Sequence, residues 1–205
     1  MDSVGKLNNM VSGHECVDLG LSVKWASCNV GAVKPTDCGD YFAWGETKPV
    51  PDYRAVHCHT WSTKMPSIGG NPEFDAATAN WGDQWRLPTP AEIDELIDKC
   101  HWEWTNEDGI NGYRITGTNG NSIFIPAAGY RLGTELKYVG EYCHCWSTTP
   151  VEWCNNGSYI LYFGEGNIYR IWNFRYFGRS IRAVCKPQPV IKGMCTCNKS
   201  EYLKL

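Results

Sequence analysis

Cys143-His144-Cys145 and Cys195-Thr196-Cys197 set four thiols in two C-x-C pairs, the first enclosing an imidazole. Thiolates so spaced could ligate a metal or exchange as disulfides. Zinc sites, however, favour two to four residues between their cysteines. The chain holds eleven cysteines, an odd number, so at least one thiol cannot pair within it. Met1 to Ser12 carries no apolar run of a secretion signal, which favours reduced thiols. Scattered small buried thiols are therefore expected, with no metal and no cofactor. The five histidines, His14, His57, His59, His101 and His144, form no catalytic constellation with a Ser or Cys.

Carboxylates gather once, at Glu92, Asp94, Glu95 and Asp98. Thr89-Pro90-Ala91-Glu92 is a capping box with proline at the first helical position. Ile93, Leu96, Ile97 and Cys100 follow at i, i+3, i+4 and i+7, which predicts an amphipathic helix from Pro90 to Cys100 packed on a sheet. The acids then form its solvated face rather than a catalytic pair. Asp75 caps a shorter helix through Asn80, ended at Gly82.

The remaining elements read as short strands. Two lie at 16–21 and 23–31, joined at Gly20 to Ser22. Asp40 to Thr47 is apolar on both faces and belongs inside. Lys48 to Asn71 holds Pro49, Pro51 and Pro66 without a period and reads as a long loop pinned by Trp61. Tyr113 to Thr116 and Ser122 to Pro126 flank Asn119-Gly120, a strong hairpin signal. Composition agrees with one globular domain: 42% hydrophobic, 20% charged and 205 residues. A net charge of −3 argues against a nucleic-acid partner. No apolar window is long enough to span a membrane.

Tyr138 to Cys185 differs from the rest. It holds twelve of the twenty-seven aromatics and no Lys, Gln, Met or Asp. Tyr159 to Phe163, Asn167 to Ile171 and Ser180 to Val184 read as strands, with Gly164 and Gly166 turning the first into the second. No simple period fits Trp172 to Arg179. Consecutive aromatics point in all directions and cannot all be core; an exposed set of Tyr, Trp, Phe, Asn and Arg has the composition of a binding surface.

Several runs resemble one family: VDLGLSVKWASCNVGA from Val17, DYFAWGET from Asp40, DAATANWGDQWRLPTPAEIDELI from Asp75, GYRITGTNGNSIFIPAAGYR from Gly112, YCHCWSTT from Tyr142 and RYFGRSIRAVC from Arg175. Together they resemble the Fibrobacter succinogenes major paralogous domain over residues 16–185. The resemblance implies an α+β, C-type lectin-like fold of the formylglycine-generating-enzyme variety, with short antiparallel strands, one long helix and one short one. Residues 1–15 would be an N-terminal segment and 186–205 a C-terminal tail.

Members of this family include variable proteins of diversity-generating retroelements, hypermutated at adenines. The resemblance therefore implies a variable region at 138–185. Variation at AAC or AAT codons cannot give Trp, Met, Gln, Lys or Glu, so Trp146, Trp153, Trp172, Glu141, Glu152 and Glu165 would be fixed scaffold. Gly178, Ser180, Arg182 and Val184 match the closing motif, and Arg175 also stays with the scaffold. The implied ligand-binding positions are Cys143, Cys145, Cys154, Asn155, Asn156, Tyr169, Ile171, Asn173, Phe174, Tyr176, Phe177 and Arg179. Their partner would be a protein or a cell-surface glycan, met on a phage particle or its host, and no enzyme activity is implied. The Glu-Pro-Asn and Trp-Asn-Asp motifs of calcium-dependent lectins are absent. Two alternatives stand beside this reading. One is a structural surface module without a specific ligand. The other is a formylglycine-generating enzyme, whose copper-binding cysteine pair Cys143 and Cys145 match poorly in spacing and setting.

Overall fold

The computed structural model describes residues 9–186. In chain order the strands are β1 (Met10–Val11), β2 (His14–Val17), β3 (Lys24–Ala26), β4 (Trp85–Arg86), β5 (His101–Glu107), β6 (Ile110–Thr116), β7 (Ser122–Pro126), β8 (Tyr130–Leu132), β9 (Glu135–Lys137), β10 (Tyr142–Pro150), β11 (Gly157–Gly164), β12 (Asn167–Phe174) and β13 (Val184–Cys185). The helices are α1 (Ala76–Trp81) and α2 (Pro90–Lys99). Four sheets result, of orders β1-β2-β3-β13-β4, β10-β11-β12, β5-β6-β7 and β8-β9. All strand pairings within them are antiparallel. The molecule is thus α+β and mostly sheet. The expected tail at 186–205 lies, apart from Lys186, outside the described residues.

Both helices start where their caps dictate. Asp75 accepts from Ala77 N at 2.9 Å and Thr78 N at 3.1 Å, satisfying two of the orphan donors of α1. Thr89 Oγ1 accepts from Glu92 N at 3.2 Å while the Glu92 carboxylate accepts from Thr89 N at 2.8 Å, closing the capping box of α2. Ile93 and Leu96 bury the apolar face of α2. Its acids are not the open solvated face expected. Glu92 pairs with Arg86 at 2.6 Å, Glu95 with Lys99 at 2.8 Å, and Asp94 with Arg170 of β12 at 2.6 Å. Glu92 and Asp94 fasten α2 to its surroundings, while Glu95 bridges within the helix and also accepts from Ser22 N at 3.1 Å.

The strand expectations need correction, beginning with 16–21 and 23–31, of which only Cys16–Val17 and Lys24–Ala26 lie in strands. Ser180 to Val184 is not a strand: only Val184–Cys185 joins a sheet, while Arg179 and Ser180 make single bridges to Phe42 and Cys145. The alternation there reflects a buried Arg182, not a solvated face. His101–Glu107 is a seven-residue strand that its mixed polar sequence did not advertise. Met10–Val11 and His14–Glu15 belong to the five-stranded sheet, so part of 1–15 is in the fold.

The β10-β11-β12 sheet is the centre of the molecule. Side chains alternate across it. On one face Cys143, Cys145, Leu161 and Phe163 pack with Ile93 and Leu96 of α2. On the other, Trp146 and Ile160 join Phe42, Trp44, Trp85 and Ile181 in a second core. The chain between β12 and β13 then crosses the interior without a continuous ladder. Arg182 holds it: Nε donates to Asn29 Oδ1 at 2.9 Å, Nη1 to Ala26 O at 3.0 Å and Nη2 to Phe124 O at 2.9 Å.

Truncating this clamp strands three buried acceptors, each costly when unpaired. Arg182→Ala should lower stability by about 3–5 kcal/mol, and Trp146→Ala by a similar amount through its cavity. Urea denaturation midpoints of the two variants check this; unchanged midpoints would refute it.

Candidate ligand-binding face

β12 is the exposed edge of the central sheet, with no outer neighbour among the described residues. Its register with β11 pairs Tyr162 with Tyr169, Ile160 with Ile171, and Ser158 with Asn173. These residues share the face away from α2. Tyr169 is 52% exposed, and Ile171 is also exposed. The alternate residues Ile168, Arg170 and Trp172 turn to the α2 side, where Trp172 lies exposed past the helix pairing at Arg170. Phe174 ends the strand, and a turn through Tyr176 and Phe177 leads to Gly178.

The aromatic rings form an unbroken series around this edge. Trp153, 68% exposed, meets Trp172 at 6.4 Å, and Trp172 meets Phe174 at 5.8 Å. Trp61, from the long loop, sits 5.7 Å from Phe174 and 5.1 Å from Tyr176. Tyr176 stacks on Phe177 at 4.7 Å, and Phe177 meets Tyr130 at 5.3 Å. Tyr130 continues to His144, then Tyr162, then Tyr169. Edge-to-face and stacked contacts of this kind hold rings in place while leaving outer surfaces free.

Arg175 anchors the loops beneath the series. Its guanidinium donates to Gly157 O at 3.2 Å, Thr60 O at 3.0 Å and Thr63 O at 2.9 Å, and lies 4.4 Å over the Trp44 ring. Its backbone N donates to Asn156 O at 2.9 Å, and Ser62 N donates to Asn156 Oδ1 at 2.7 Å. One side chain therefore joins the end of β12, the 151–156 loop and the long 48–71 loop. Asn156 is held in this way at the Phe174 end of β12, whereas Tyr169 lies five residues along the strand, opposite Tyr162.

Three of the expected positions do not reach the surface. Cys143, Cys145 and Arg179 are all at least 99% buried. The cysteines lie on the α2 face of β10, their sulfurs 3.4 Å apart, because the strand's alternation turns them inward with Leu161 and Phe163. Burial pushes the Cys143 thiol well above its ordinary range. Arg179 is fixed from both sides, its N and O bonding Phe42 O and N. The surface also gains residues absent from the expectation: Trp61, Tyr130, Tyr162, Trp153 and Trp172. The first comes from the long loop, far along the chain from β12, and nothing local marks its destination. The two tryptophans are excluded by the codon argument although they are well exposed.

His144 sits under Tyr130 and Tyr162. Burial, aided by the nearby Arg179 charge, drives its pKa down to about 2. Among the described residues there is no group of three or more His, Cys, Asp or Glu that could hold a metal ion, and no helix is long and apolar enough to cross a membrane. Comparison of the chain with family models, curated proteins and solved structures gives no match. The functional reading therefore rests on geometry and on the sequence resemblance.

Two measurements follow. In the native protein, thiol reagents should modify the half-exposed Cys154 and leave Cys143 and Cys145 untouched, while denaturation without reductant should release close to eleven thiols. Rapid modification of Cys143 in the native state, or a denatured count near one, would contradict this. The second is acid sensitivity. His144 is neutral when folded and has an unfolded pKa near 6.5, so the unfolded chain binds its proton first. Its contribution is complete above about pH 6.5 and lost as pH falls toward 2, by at most about 1.4 kcal/mol per pH unit. His14, whose pKa burial also lowers, acts in the same sense. His144→Phe should flatten the fall in melting temperature between pH 6.5 and 4; an unchanged profile would refute this.

Proposed function

We propose that this protein is a ligand-binding module whose aromatic face around β12 engages a protein or cell-surface glycan, on a C-type lectin-like scaffold of the kind used by variable proteins of diversity-generating retroelements. The observation that carries the reading is the exposure of large apolar side chains on both sides of the β12 edge, Trp153, Trp172 and Phe174 in ring contact on one and Tyr169 with Ile171 on the other. Large apolar side chains in water contribute nothing to folding, and a contiguous patch of them marks an interaction site. Tyr and Trp supply contact area with little rotamer entropy to lose, and Asn155, Asn156 and Asn173 supply hydrogen bonds at its rim. Arg175 and the ring contacts hold the patch in one shape, which reduces what binding must order. The sequence resemblance supports the same region as the place where family members differ.

Replacing Tyr169, Ile171, Asn173, Phe174 and Tyr176 together by Ser tests the reading. Melting temperature should fall by no more than a few degrees, since these side chains are peripheral, while capture of partners from cell-surface extracts and glycan arrays should be lost. Unfolding of the variant would assign those residues to the core and overturn the proposal. Sequencing the flanking DNA is an independent check. A reverse transcriptase gene with a near-copy of the segment encoding 138–185 is expected; an invariant segment across related strains, with no such gene nearby, would remove the retroelement part of the reading.

A further inference from the structure

Three arginines, Arg175, Arg179 and Arg182, are each almost fully buried within eight residues. Arg175 and Arg182 spend their guanidinium donors on carbonyl and amide oxygens. Arg179 does not. Its Nε and Nη1 are buried with no hydrogen-bond partner among the described residues, and no carboxylate there pairs with it. The guanidinium instead lies among three rings, 5.1 Å from Phe177, 5.1 Å from Trp146 and 5.6 Å from Tyr130. Cation–π contacts of this sort offset part of the desolvation of a charge but leave the N–H donors unmet. Two further unpartnered polar atoms, His144 Nδ1 and Ser158 Oγ, belong to the same sheet face by register, opposite Tyr162 and Asn173 respectively.

The fold leaves the Nε and Nη1 donors of Arg179 unmet, pairs its backbone with Phe42, and roofs it with Tyr130 and Phe177, both half-buried members of the aromatic series. We propose that Arg179 is the anchor for a carboxylate carried by the ligand, reached when the Phe177 ring swings aside. This rests on the aromatic face being the binding surface and names the chemistry it selects. The Nε–H and Nη1–H donors leave from different edges of the planar guanidinium, and from either edge a carboxylate oxygen can accept a charge-assisted hydrogen bond. A single negative charge is the appropriate one, because His144 stays neutral and Arg179 is the lone cation of the cluster. Phe177 sits in a turn closed by a long 3.4 Å bond from its N to Phe174 O, and its ring is the half-buried lid over the guanidinium. The carboxylate would exchange a cation–π neighbour for a charge-assisted hydrogen bond to a donor that otherwise has none.

The test uses the full chain and two probes, a blocked glutamyl tripeptide and glucuronate, each against its uncharged amide. Binding is read by calorimetry and by the NMR signal of the Arg179 Nε–H, identified through Arg179→Lys. The acid form of at least one probe should bind and move that signal, the amide should not, Arg179→Gln should weaken binding by roughly tenfold or more, and Phe177→Ala should strengthen it. The tripeptide alone binding points to a protein carboxylate; glucuronate alone points to an acidic sugar. Acid and amide behaving alike, with neither moving the Arg179 signal even in Phe177→Ala, overturns the inference. That comparison needs only folded native protein, so it stands even if Arg179→Gln is unstable. A surface partner that binds Arg179→Gln at full strength, yet is lost on replacing the exposed aromatics, would also overturn it while leaving the aromatic face as the binding surface.

Discussion

The structure depends on how an irregular strand of chain is kept satisfied inside the protein. From Arg175 to Ala183 the backbone crosses between two cores without a continuous ladder, its peptide groups pairing one at a time with Trp44, Arg131, Phe42, Trp146, Val30 and Ala26. Buried peptide groups and buried cations are each costly when unpaired. Arg182 resolves this at one end by reaching Ala26, Asn29 and Phe124, and Arg175 at the other by reaching Thr60, Thr63 and Gly157. Four of these contacts, to Thr60, Thr63, Asn29 and Ala26, link residues more than a hundred positions apart. The central sheet can then keep both faces of β10 and β11 covered while β12 remains an open edge.

The same arrangement explains why the surface aromatics are ordered. Phe174 and Tyr176 flank Arg175 in sequence, so fixing its guanidinium under Trp44 fixes their starting points. Trp61 arrives from the long loop because that loop's carbonyls are two of the Arg175 acceptors. The aromatic face and the interior are thus positioned by one set of interactions. His144 and Arg179 mark where the two meet, beneath rings that are part of both.

Local signals made the helices readable. Caps at Asp75 and Thr89 and the spacing of Ile93 and Leu96 are short-range facts, and physics at that range is written in adjacent residues. The Asn119-Gly120 hairpin and the buried Tyr41–Trp44 segment were legible for the same reason. Strand β5 was not, because as a half-exposed strand it is specified by pairing with β6 rather than by its own pattern. Burial of Arg179 and Arg182 was hidden likewise: a charged side chain reads as exposed until its distant acceptors, or their absence, are known. Cys143 and Cys145 show the converse, where one-residue alternation turned them from the surface; His144 between them faces the other side. For Trp61, the loop was recognised but its destination was not.

Arg175 and Arg182 attach mainly to main-chain carbonyls, and this bears on how the protein can change over time. A carbonyl oxygen is present whatever side chain a residue carries. Mutations at Thr60, Thr63, Ala26 or Phe124 alter what those residues pack against, yet leave the acceptors in position. A scaffold clamped by side chains onto backbone is thereby buffered against drift in its own surroundings, and the neighbouring surface is free to diversify without renegotiating the interior.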